Sequence, residues 1–123
     1  MKKIFTLLLI FLLFSCSNKE NTYKQIDSIQ AQEIFTKEGN YIILDVRTKE
    51  EYDSGHIPNA INVPVETINN KPSELPDLNQ EIYIYCRSGN RSKQAADKLV
   101  KLGYTNLYDL DGGLLNWGDS LEE

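Results

Sequence analysis

The sequence predicts an α/β fold in which a small parallel sheet is flanked by helices on both faces. Three short apolar segments, 41–46, 81–85 and 106–110, alternate with helical patterns, as in βα repeats. Segment 41–46 is apolar along nearly its whole length, which is typical of a strand buried on both faces of a sheet. With 123 residues, of which 41% are hydrophobic and 25% charged, the chain is expected to form one small domain.

Capping-box patterns mark the starts of the first two predicted helices. Asp27 begins such a pattern ahead of an apolar stripe, which predicts a helix over 28–37. Thr48 begins a second one, which predicts a short helix that closes near Gly55. Both helices therefore have a defined start in the sequence itself.

The second half of the chain predicts one longer helix and several short elements. A stripe of Ala and Leu predicts a helix over 91–102, with Gly103 as its stop. Residues 60–63 are a candidate for a short strand, and residues 65–80 are polar with short helical turns. A last short helix is expected over 114–117.

The first 15 residues differ from the rest of the chain. Lys2 and Lys3 precede an apolar run over 4–14, which is the pattern of a bacterial secretion signal. The run is shorter than the ~20 residues that a helix needs to span a bilayer. We therefore expect a signal peptide over residues 1–15, a lipidated cysteine and flexible polar tether over residues 16–25, and the folded domain over residues 26–123.

The end of this leader, Leu13-Phe14-Ser15-Cys16, resembles the lipobox of bacterial lipoproteins. The resemblance implies that Cys16 carries lipid and holds the protein to a bacterial membrane in the cell envelope, on the periplasmic or outer face. Plain secretion with a free Cys16 is the alternative. If Cys16 is lipidated, Cys86 is the only thiol left in the mature chain, and no intramolecular disulfide can form.

The acidic balance of the chain limits its partners. Lys and Arg number 13 and Asp and Glu 18, for a formal net charge of −5. The sequence has no basic stripe or repeat, so nucleic acid is not expected as a partner. A bound anion would have to be held by local groups against this negative background.

The segment with the most chemical information is 86–92, Cys-Arg-Ser-Gly-Asn-Arg-Ser, between a predicted strand and a predicted helix. In parallel sheets, ligands bind at the carboxyl ends of strands, which is where Cys86 lies. The loop amides, the helix start and the charges of Arg87 and Arg91 all favour a thiolate, so we expect a lowered pKa for Cys86. A buried core cysteine is the alternative, but two neighbouring arginines argue against it.

From about residue 26 to residue 117, the chain resembles a single-domain rhodanese, a thiosulfate sulfurtransferase. Segment 86–91 is similar to the catalytic loop of that family. The upstream and C-terminal signatures of the family are similar to Leu44-Asp45-Val46-Arg47 with Glu51-Tyr52 and Gly55-His56-Ile57-Pro58, and to Leu110-Asp111-Gly112-Gly113 with Trp117. The resemblance implies a rhodanese-like α/β fold.

The resemblance also implies a sulfur-transfer reaction through a Cys86 persulfide. The Cys86 thiolate would take the sulfane sulfur of a small sulfur-containing anion such as thiosulfate and pass it to a thiol or protein acceptor. No metal and no organic cofactor is expected. The residues expected to bind the donor are Arg87, Ser88, Gly89, Asn90 and Arg91.

Three upstream residues are expected to support the site. Asp45 ends a buried strand, so its carboxylate needs a partner, such as an arginine or the backbone of the loop. Arg47 is spaced to pair with Glu51, four residues later. His56, the only histidine, is placed by the resemblance in a structural turn near the site, with direct catalysis as the alternative.

Three rival functions fit part of the pattern. In related phosphatases, five residues separate the cysteine from the arginine, whereas four do so here; the smaller loop favours sulfur transfer over phosphatase or arsenate reductase chemistry. A non-catalytic, rhodanese-like binding module of the cell envelope would be expected to lack the nucleophile or to have a broken loop. A thiol–disulfide oxidoreductase would need a resolving cysteine.

Overall fold

The computed structural model describes residues 22–123, which form a five-stranded parallel sheet in the order β1-β5-β4-β2-β3. This confirms the α/β fold with a small parallel sheet. The predicted signal peptide, Cys16 and most of the predicted tether lie outside the described residues. The elements are β1 (Tyr23–Ile26), α1 (Ser28–Phe35), β2 (Tyr41–Asp45), α2 (Lys49–Asp53), β3 (Ile61–Asn62), β4 (Glu81–Tyr85), α3 (Asn90–Lys101) and β5 (Leu107–Leu110), with 3-10 turns at Val65–Thr67 and Gly113–Asn116.

The first strand corrects the predicted tether. Residues 23–25, expected in the flexible segment, belong to β1 and pair in parallel with β5, from Tyr23 opposite Leu107 to Ile26 opposite Leu110. β1 lies at the edge of the sheet, and only Ile26 in it is buried. A polar edge strand has no apolar pattern of its own, because its formation depends on the partner strand.

Both predicted capping boxes form. The Asp27 carboxylate accepts the Gln30 amide at 2.8 Å, and the Gln30 side chain accepts the Asp27 amide at 3.0 Å. Thr48 and Glu51 make the same reciprocal contacts at the start of α2. α1 is shorter than the predicted 28–37, because the amide and the hydroxyl of Thr36 both donate to carbonyls of the last helical turn.

The apolar core lies in two layers, one on each face of the sheet. β4 contributes to both, since its side chains alternate: Ile82 and Ile84 face α3, whereas Tyr83 and Tyr85 lie on the face covered by α1. The α3 layer includes Ala95, Ala96, Leu99 and Leu107, and the α1 layer includes Ala31, Ile43, Ile57 and Trp117. None of the helices within 22–123 has the length and apolarity of a bilayer-spanning helix.

The register of the two central strands positions the site. Asp45 at the end of β2 lies opposite Tyr85 at the end of β4, and the Val46 amide donates to the Tyr85 carbonyl at 3.1 Å. The two strands therefore end at the same level. The residues that follow β2 lie beside Cys86, although 40 residues separate Asp45 from Tyr85 in the sequence.

Candidate active site

Cys86 directly follows β4 and lies at the carboxyl edge of the sheet, only 1% exposed. Its sulfur accepts hydrogen bonds from the Gly89 amide at 3.1 Å and from the Ser92 amide at 3.3 Å. The Ser92 hydroxyl oxygen lies 3.6 Å from the same sulfur. Once the thiol is ionised, this hydroxyl can donate to it as well. The arrangement is a cradle of donors around a single sulfur atom.

The local conformation of the loop explains why these donors converge. Gly89, which caps α3, has φ of +103°, a value that residues with a Cβ rarely adopt. α3 then begins at Asn90, one residue before the predicted start, so Ser92 lies in the first turn. Amides of a first helical turn have no partner within the helix and are free to bind an anion.

These hydrogen bonds control the ionisation of the thiol. Burial alone raises the pKa of Cys86, but the hydroxyl and amide of Ser92 and the amides of Gly89 and Ser88 stabilise the thiolate more strongly. The net result is a pKa below the ordinary value of a cysteine thiol, as the sequence predicted. The hydrogen bonds from Ser92, Gly89 and Ser88 that lower it belong to the loop amides and the helix start named in the prediction, whereas the two arginine charges, which the prediction also invoked, are not among the main causes.

The two arginines of the loop have different environments. Arg91 makes a two-point contact with Glu51, with Nη1 2.7 Å from Oε1 and Nη2 3.1 Å from Oε2. This contact lowers the pKa of Glu51 to about 2 and raises the pKa of Arg91, to which the charge of Cys86 also contributes. Arg87 is exposed, and its side chain has no hydrogen-bond or ionic partner within residues 22–123. Arg87 is therefore the arginine available to an incoming anion.

Asp45 and Arg47 form a buried pair beside the end of β4. The Arg47 Nη2 lies 2.7 Å from Asp45 Oδ2, and Nε donates to Oδ1 at 3.0 Å. The Tyr85 hydroxyl donates to the same carboxylate at 2.7 Å, and Arg47 also donates to the Gly55 carbonyl at 2.7 Å. Asp45 thus has the arginine partner that was expected. The expected pairing of Arg47 with Glu51 is wrong, because both side chains have closer partners elsewhere.

His56 makes contacts typical of a structural residue. Its ring stacks on Tyr52 with centroids 3.8 Å apart and an angle of 5° between planes. Nδ1 lies 2.8 Å from the Tyr52 carbonyl, and Nε2 lies 3.6 Å from the Glu122 carboxylate. The backbones of His56 and Glu122 also pair, with N–O distances of 2.9 and 2.8 Å. Both ring nitrogens are thus directed at Tyr52 and Glu122 and not at the sulfur of Cys86.

The remaining predicted residues lie in the loop itself. Ser88 and Asn90 are exposed, and Gly89 is buried. The loop therefore brings Arg87, Ser88, Gly89, Asn90 and Arg91 around Cys86, but the direct contacts to the sulfur come from backbone amides and from Ser92. The described residues contain no cluster of three or more His, Cys, Asp or Glu arranged to hold a metal ion.

Two contributors were not among the predicted site residues. Ser92 follows the predicted donor-binding residues, and its position in the first turn of a helix is the signal that identifies it. Gly113, with φ of +58°, packs on the loop so closely that a Cβ would lie 2.7 Å from the Arg87 carbonyl oxygen. The next amides, of Leu114 and Leu115, donate at 3.0 Å to the carbonyls of Cys86 and Arg87. The turn after β5 therefore holds the backbone of the loop in place through its first two carbonyl groups.

Comparison with curated proteins identifies relatives of similar length and much longer ones. The chain is 36% identical over 93 residues to a sulfurtransferase of Allochromatium vinosum, covering 76% of this chain and 86% of that protein. It is 34% identical over 95 residues to the thiosulfate sulfurtransferase GlpE of Coxiella burnetii, covering 77% and 87%. It is 42% identical over 89 residues to the adenylyltransferase and sulfurtransferase UBA4 of Candida albicans, but spans only 20% of that protein's length.

Solved structures and a family model agree with these relatives. A rhodanese-like domain protein from Staphylococcus aureus superposes with a TM-score of 0.70 at 34% identity, covering 80% of this chain and 96% of that one. The human single-domain sulfurtransferase TSTD1 gives 0.68 at 26% identity, covering 78% and 97%. The model of the rhodanese-like domain matches residues 29–120, which include Cys86 and all of its hydrogen-bond donors. The chain therefore belongs to the rhodanese-like domain family, and sulfurtransferases are among its relatives.

Proposed function

We propose that this protein is a rhodanese-type sulfurtransferase in which Cys86 carries the transferred sulfur as a persulfide. The observation that carries the proposal is the pair of amides that donate to the Cys86 sulfur, Gly89 at 3.1 Å and Ser92 at 3.3 Å, with the Ser92 hydroxyl oxygen 3.6 Å from the same atom. A site that stabilises a thiolate in this way prepares a nucleophile. The relationship to proteins named sulfurtransferases supports the same reaction class.

In the first step, the Cys86 thiolate attacks the outer sulfur of a donor such as thiosulfate. A bond forms between the two sulfur atoms, the S–S bond of thiosulfate breaks, and sulfite leaves with the electron pair of that bond. The single negative charge of the thiolate passes to the persulfide. Thiosulfate and the leaving sulfite each carry two negative charges, so the total charge is unchanged. Arg87, exposed on the loop, would hold the anionic donor and stabilise the sulfite as it leaves.

In the second step, an acceptor removes the sulfur. A nucleophile, cyanide in an assay or a thiolate of a small molecule or protein, attacks the outer sulfur of the persulfide. The new bond forms as the S–S bond to Cys86 breaks, and Cys86 returns as the thiolate. Because one atom carries the sulfur between the two partners, donor and acceptor bind in turn, and the kinetics are ping-pong.

We also propose that the protein acts at a bacterial membrane of the cell envelope, held by lipid on Cys16. This proposal is supported by the leader pattern and the lipobox-like segment 13–16. A stable anchor of this kind requires more than one acyl chain, since a single chain gives only reversible binding. The donors and acceptors would then be those available outside the cytoplasm.

Mass spectrometry provides the direct test of the sulfur-transfer proposal. Purified protein is incubated with thiosulfate, freed of the excess, and digested without reductant. We expect the peptide containing Cys86 to gain the mass of one sulfur atom and to lose it on addition of cyanide, with formation of thiocyanate. Cys86→Ser, nearly isosteric, should keep the fold and show neither change.

An unmodified Cys86 that still reacts with iodoacetamide would contradict the proposal. The protein would then be better described as a rhodanese-like binding module that does not transfer sulfur.

A further inference from the structure

Lys93 lies where an α-helix disfavours a cation. It belongs to the first turn of α3, which has no acidic residue of its own to balance the charge. Its Nζ lies 3.1 Å from the Asp109 carboxylate of β5 and 3.4 Å from the Gly89 carbonyl oxygen. The ammonium group is therefore held between a strand of the sheet and the catalytic loop.

Asp109 is a fully buried carboxylate within a largely apolar sheet. Its Oδ2 accepts from Lys93 and, at 2.6 Å, from the Gln25 side chain of β1. Its Oδ1 has no hydrogen-bond partner within the described chain. Burial of a carboxylate is costly, and an apolar side chain would suit the same position on β5 better. Packing alone does not explain this residue, which suggests a role in the adjacent loop.

The Gly89 carbonyl connects this pair to the site. It accepts the Ser92 hydroxyl at 3.2 Å and the Lys93 amide at 3.4 Å in addition to the ammonium group. In a trans peptide, the carbonyl of Gly89 and the amide of Asn90 point in opposite directions. Amides of the first helical turn point out of the N-terminal end, and the Ser92 amide shows that this end of α3 faces the Cys86 sulfur.

We propose that Lys93 and Asp109 are positioning residues of the catalytic loop. Asp109 holds the Lys93 ammonium on the Gly89 carbonyl, which fixes the residue whose own amide donates to the Cys86 sulfur at 3.1 Å. The same contact orients and polarises the Gly89–Asn90 peptide, so that its amide becomes a stronger donor toward sulfur bound at Cys86. The inference rests on the proposed function, which it deepens by explaining how the loop stabilises a thiolate and a persulfide. Neither residue contacts the sulfur itself.

The first test measures the thiol without any sulfur donor. The rate of Cys86 alkylation by iodoacetamide is followed against pH in the wild type, Lys93→Met, Lys93→Arg and Asp109→Asn. The charges of Asp111 and Tyr23 also act on Lys93, and both residues are unchanged in every variant. We expect the midpoint of the curve of alkylation rate against pH to rise in Lys93→Met and Asp109→Asn. At pH 7 the alkylation rate of both variants should be about threefold lower than in the wild type, because less thiolate is present. Lys93→Arg restores a cation and should alkylate at nearly the wild-type rate.

A matched control removes the same charge from the other end of the helix. Lys101 is the last residue of α3, about 12 Å along the helix axis from Lys93, and Lys101→Met should leave the midpoint unchanged. The double variant Lys93→Met/Asp109→Asn leaves no buried carboxylate without its cation, so it should fold, yet it should keep the raised midpoint. Circular dichroism checks the fold of each variant.

The second test uses thiosulfate:cyanide transfer. We expect kcat to fall about threefold or more in Lys93→Met and KM for thiosulfate to change little, since Arg87 and not Lys93 faces the donor. A wild-type midpoint in Lys93→Met, or an equal rise in Lys101→Met, would overturn the positioning role. If no variant, wild type included, transfers sulfur but the midpoints shift as expected, the proposed function fails and the positioning role stands.

Discussion

The Arg91 guanidinium and the Glu51 carboxylate form a two-point contact that joins α3, which starts at the Cys86 loop, to α2, 40 residues earlier in the chain. The same carboxylate accepts the Thr48 amide at 3.0 Å and so closes the capping box of α2. A single side chain thus fixes the start of one helix and holds an arginine of the loop. This double use makes Glu51 a sensitive point for both stability and loop position.

Removal of the Glu51 charge should weaken the fold in a pH-dependent way. The pKa of Glu51 is lowered to about 2 in the folded protein, chiefly by Arg91. The contribution of the ionised carboxylate to the free energy of unfolding is therefore present above about pH 4.5 and is lost as the pH falls toward 2. Because the pair is partly exposed, we expect Glu51→Gln to lower the free energy of unfolding at pH 7 by about 1 kcal/mol. Urea unfolding at pH 7 and pH 3 should show this difference shrinking. Glu50→Gln, an exposed neighbour on α2, serves as the control; an equal loss at both pH values would contradict the assignment.

Although it is uncharged, the Ser92 hydroxyl should contribute strongly to the low pKa of Cys86 and to the rate of sulfur transfer. Ser92→Ala keeps the amide but removes the hydroxyl 3.6 Å from the sulfur, so the pKa of Cys86 should rise and the alkylation rate at pH 7 should fall. Loss of one aimed donor at an anionic site lowers the rate strongly, and we expect sulfur transfer to drop about tenfold or more. Ser73→Ala, at an exposed position in a distant segment, should behave as wild type. Unchanged alkylation in Ser92→Ala would show that the amides alone stabilise the thiolate.

A methyl group at Gly113 should displace the backbone of the Cys86 loop, because it would collide with the carbonyl groups of Cys86 and Arg87. The added Cβ would lie 2.7 Å from the Arg87 carbonyl oxygen and closer still to that of Cys86, at a φ of +58°. We expect Gly113→Ala to cost at least about 2 kcal/mol in unfolding free energy and to reduce sulfur transfer. Gly118→Ala has a similar φ of +69° but no heavy atom nearer than 4.0 Å to the new Cβ, so it isolates the backbone strain, about 1 kcal/mol. Equal losses in the two variants would argue against the close contact.

Loop length can be tested by insertion of one glycine between Ser88 and Gly89. The insertion gives five residues between Cys86 and Arg91, the phosphatase spacing, and moves the amides away from a lone sulfur. We expect thiosulfate:cyanide transfer to fall at least about tenfold. Weak hydrolysis of an aryl phosphate by the variant with the enlarged loop would also support the view that loop length selects the chemistry. Transfer at the wild-type rate would mean that loop size does not select the chemistry.

The lipid anchor stays a prediction from the sequence and is tested in cells. Cys16→Ala should release the protein from the membrane fraction and leave the thiosulfate:cyanide activity of the domain unchanged, because the predicted attachment point is remote from the loop. Cys86→Ser should remain in the membrane fraction. A wild-type protein whose mass shows no lipid, or a Cys16→Ala variant that still sediments with membranes, would disprove the anchor.

Local sequence patterns predicted the elements that have local causes. The capping boxes at Asp27 and Thr48 fixed the starts of two helices, because the contacts join residues three positions apart. The pattern of 81–85, which is apolar after Glu81, predicted β4 with its bounds correct, since this strand is buried on both faces. The position of Cys86 followed from the rule that sites of parallel sheets lie at the carboxyl ends of strands.

Relationships across long sequence separations could not be predicted in the same way. Glu51 was assigned to Arg47 because they are four residues apart, but the register of β2 with β4 brings Arg91 closer to it. β1 was missed because Lys24 and Gln25 in it are polar and the segment becomes a strand only against β5. The Lys93–Asp109 contact also depends on the packing of α3 on the sheet, which no local pattern contains.

If Cys16 carries lipid, the parallel direction of the strands would also favour one orientation of the molecule at the membrane. β1 begins at Tyr23, which is level with Leu107 of β5 and, through it, with Ile82 of β4, whereas Cys86 lies four residues further along. At about 3.3 Å per residue, the chain enters the sheet roughly 13 Å from the level of the sulfur, at the opposite edge. With lipid on Cys16, the membrane would lie on the entry side, and the sulfur-carrying loop would face away from the lipid surface. Its natural partners would then be soluble molecules or domains that approach from the aqueous side.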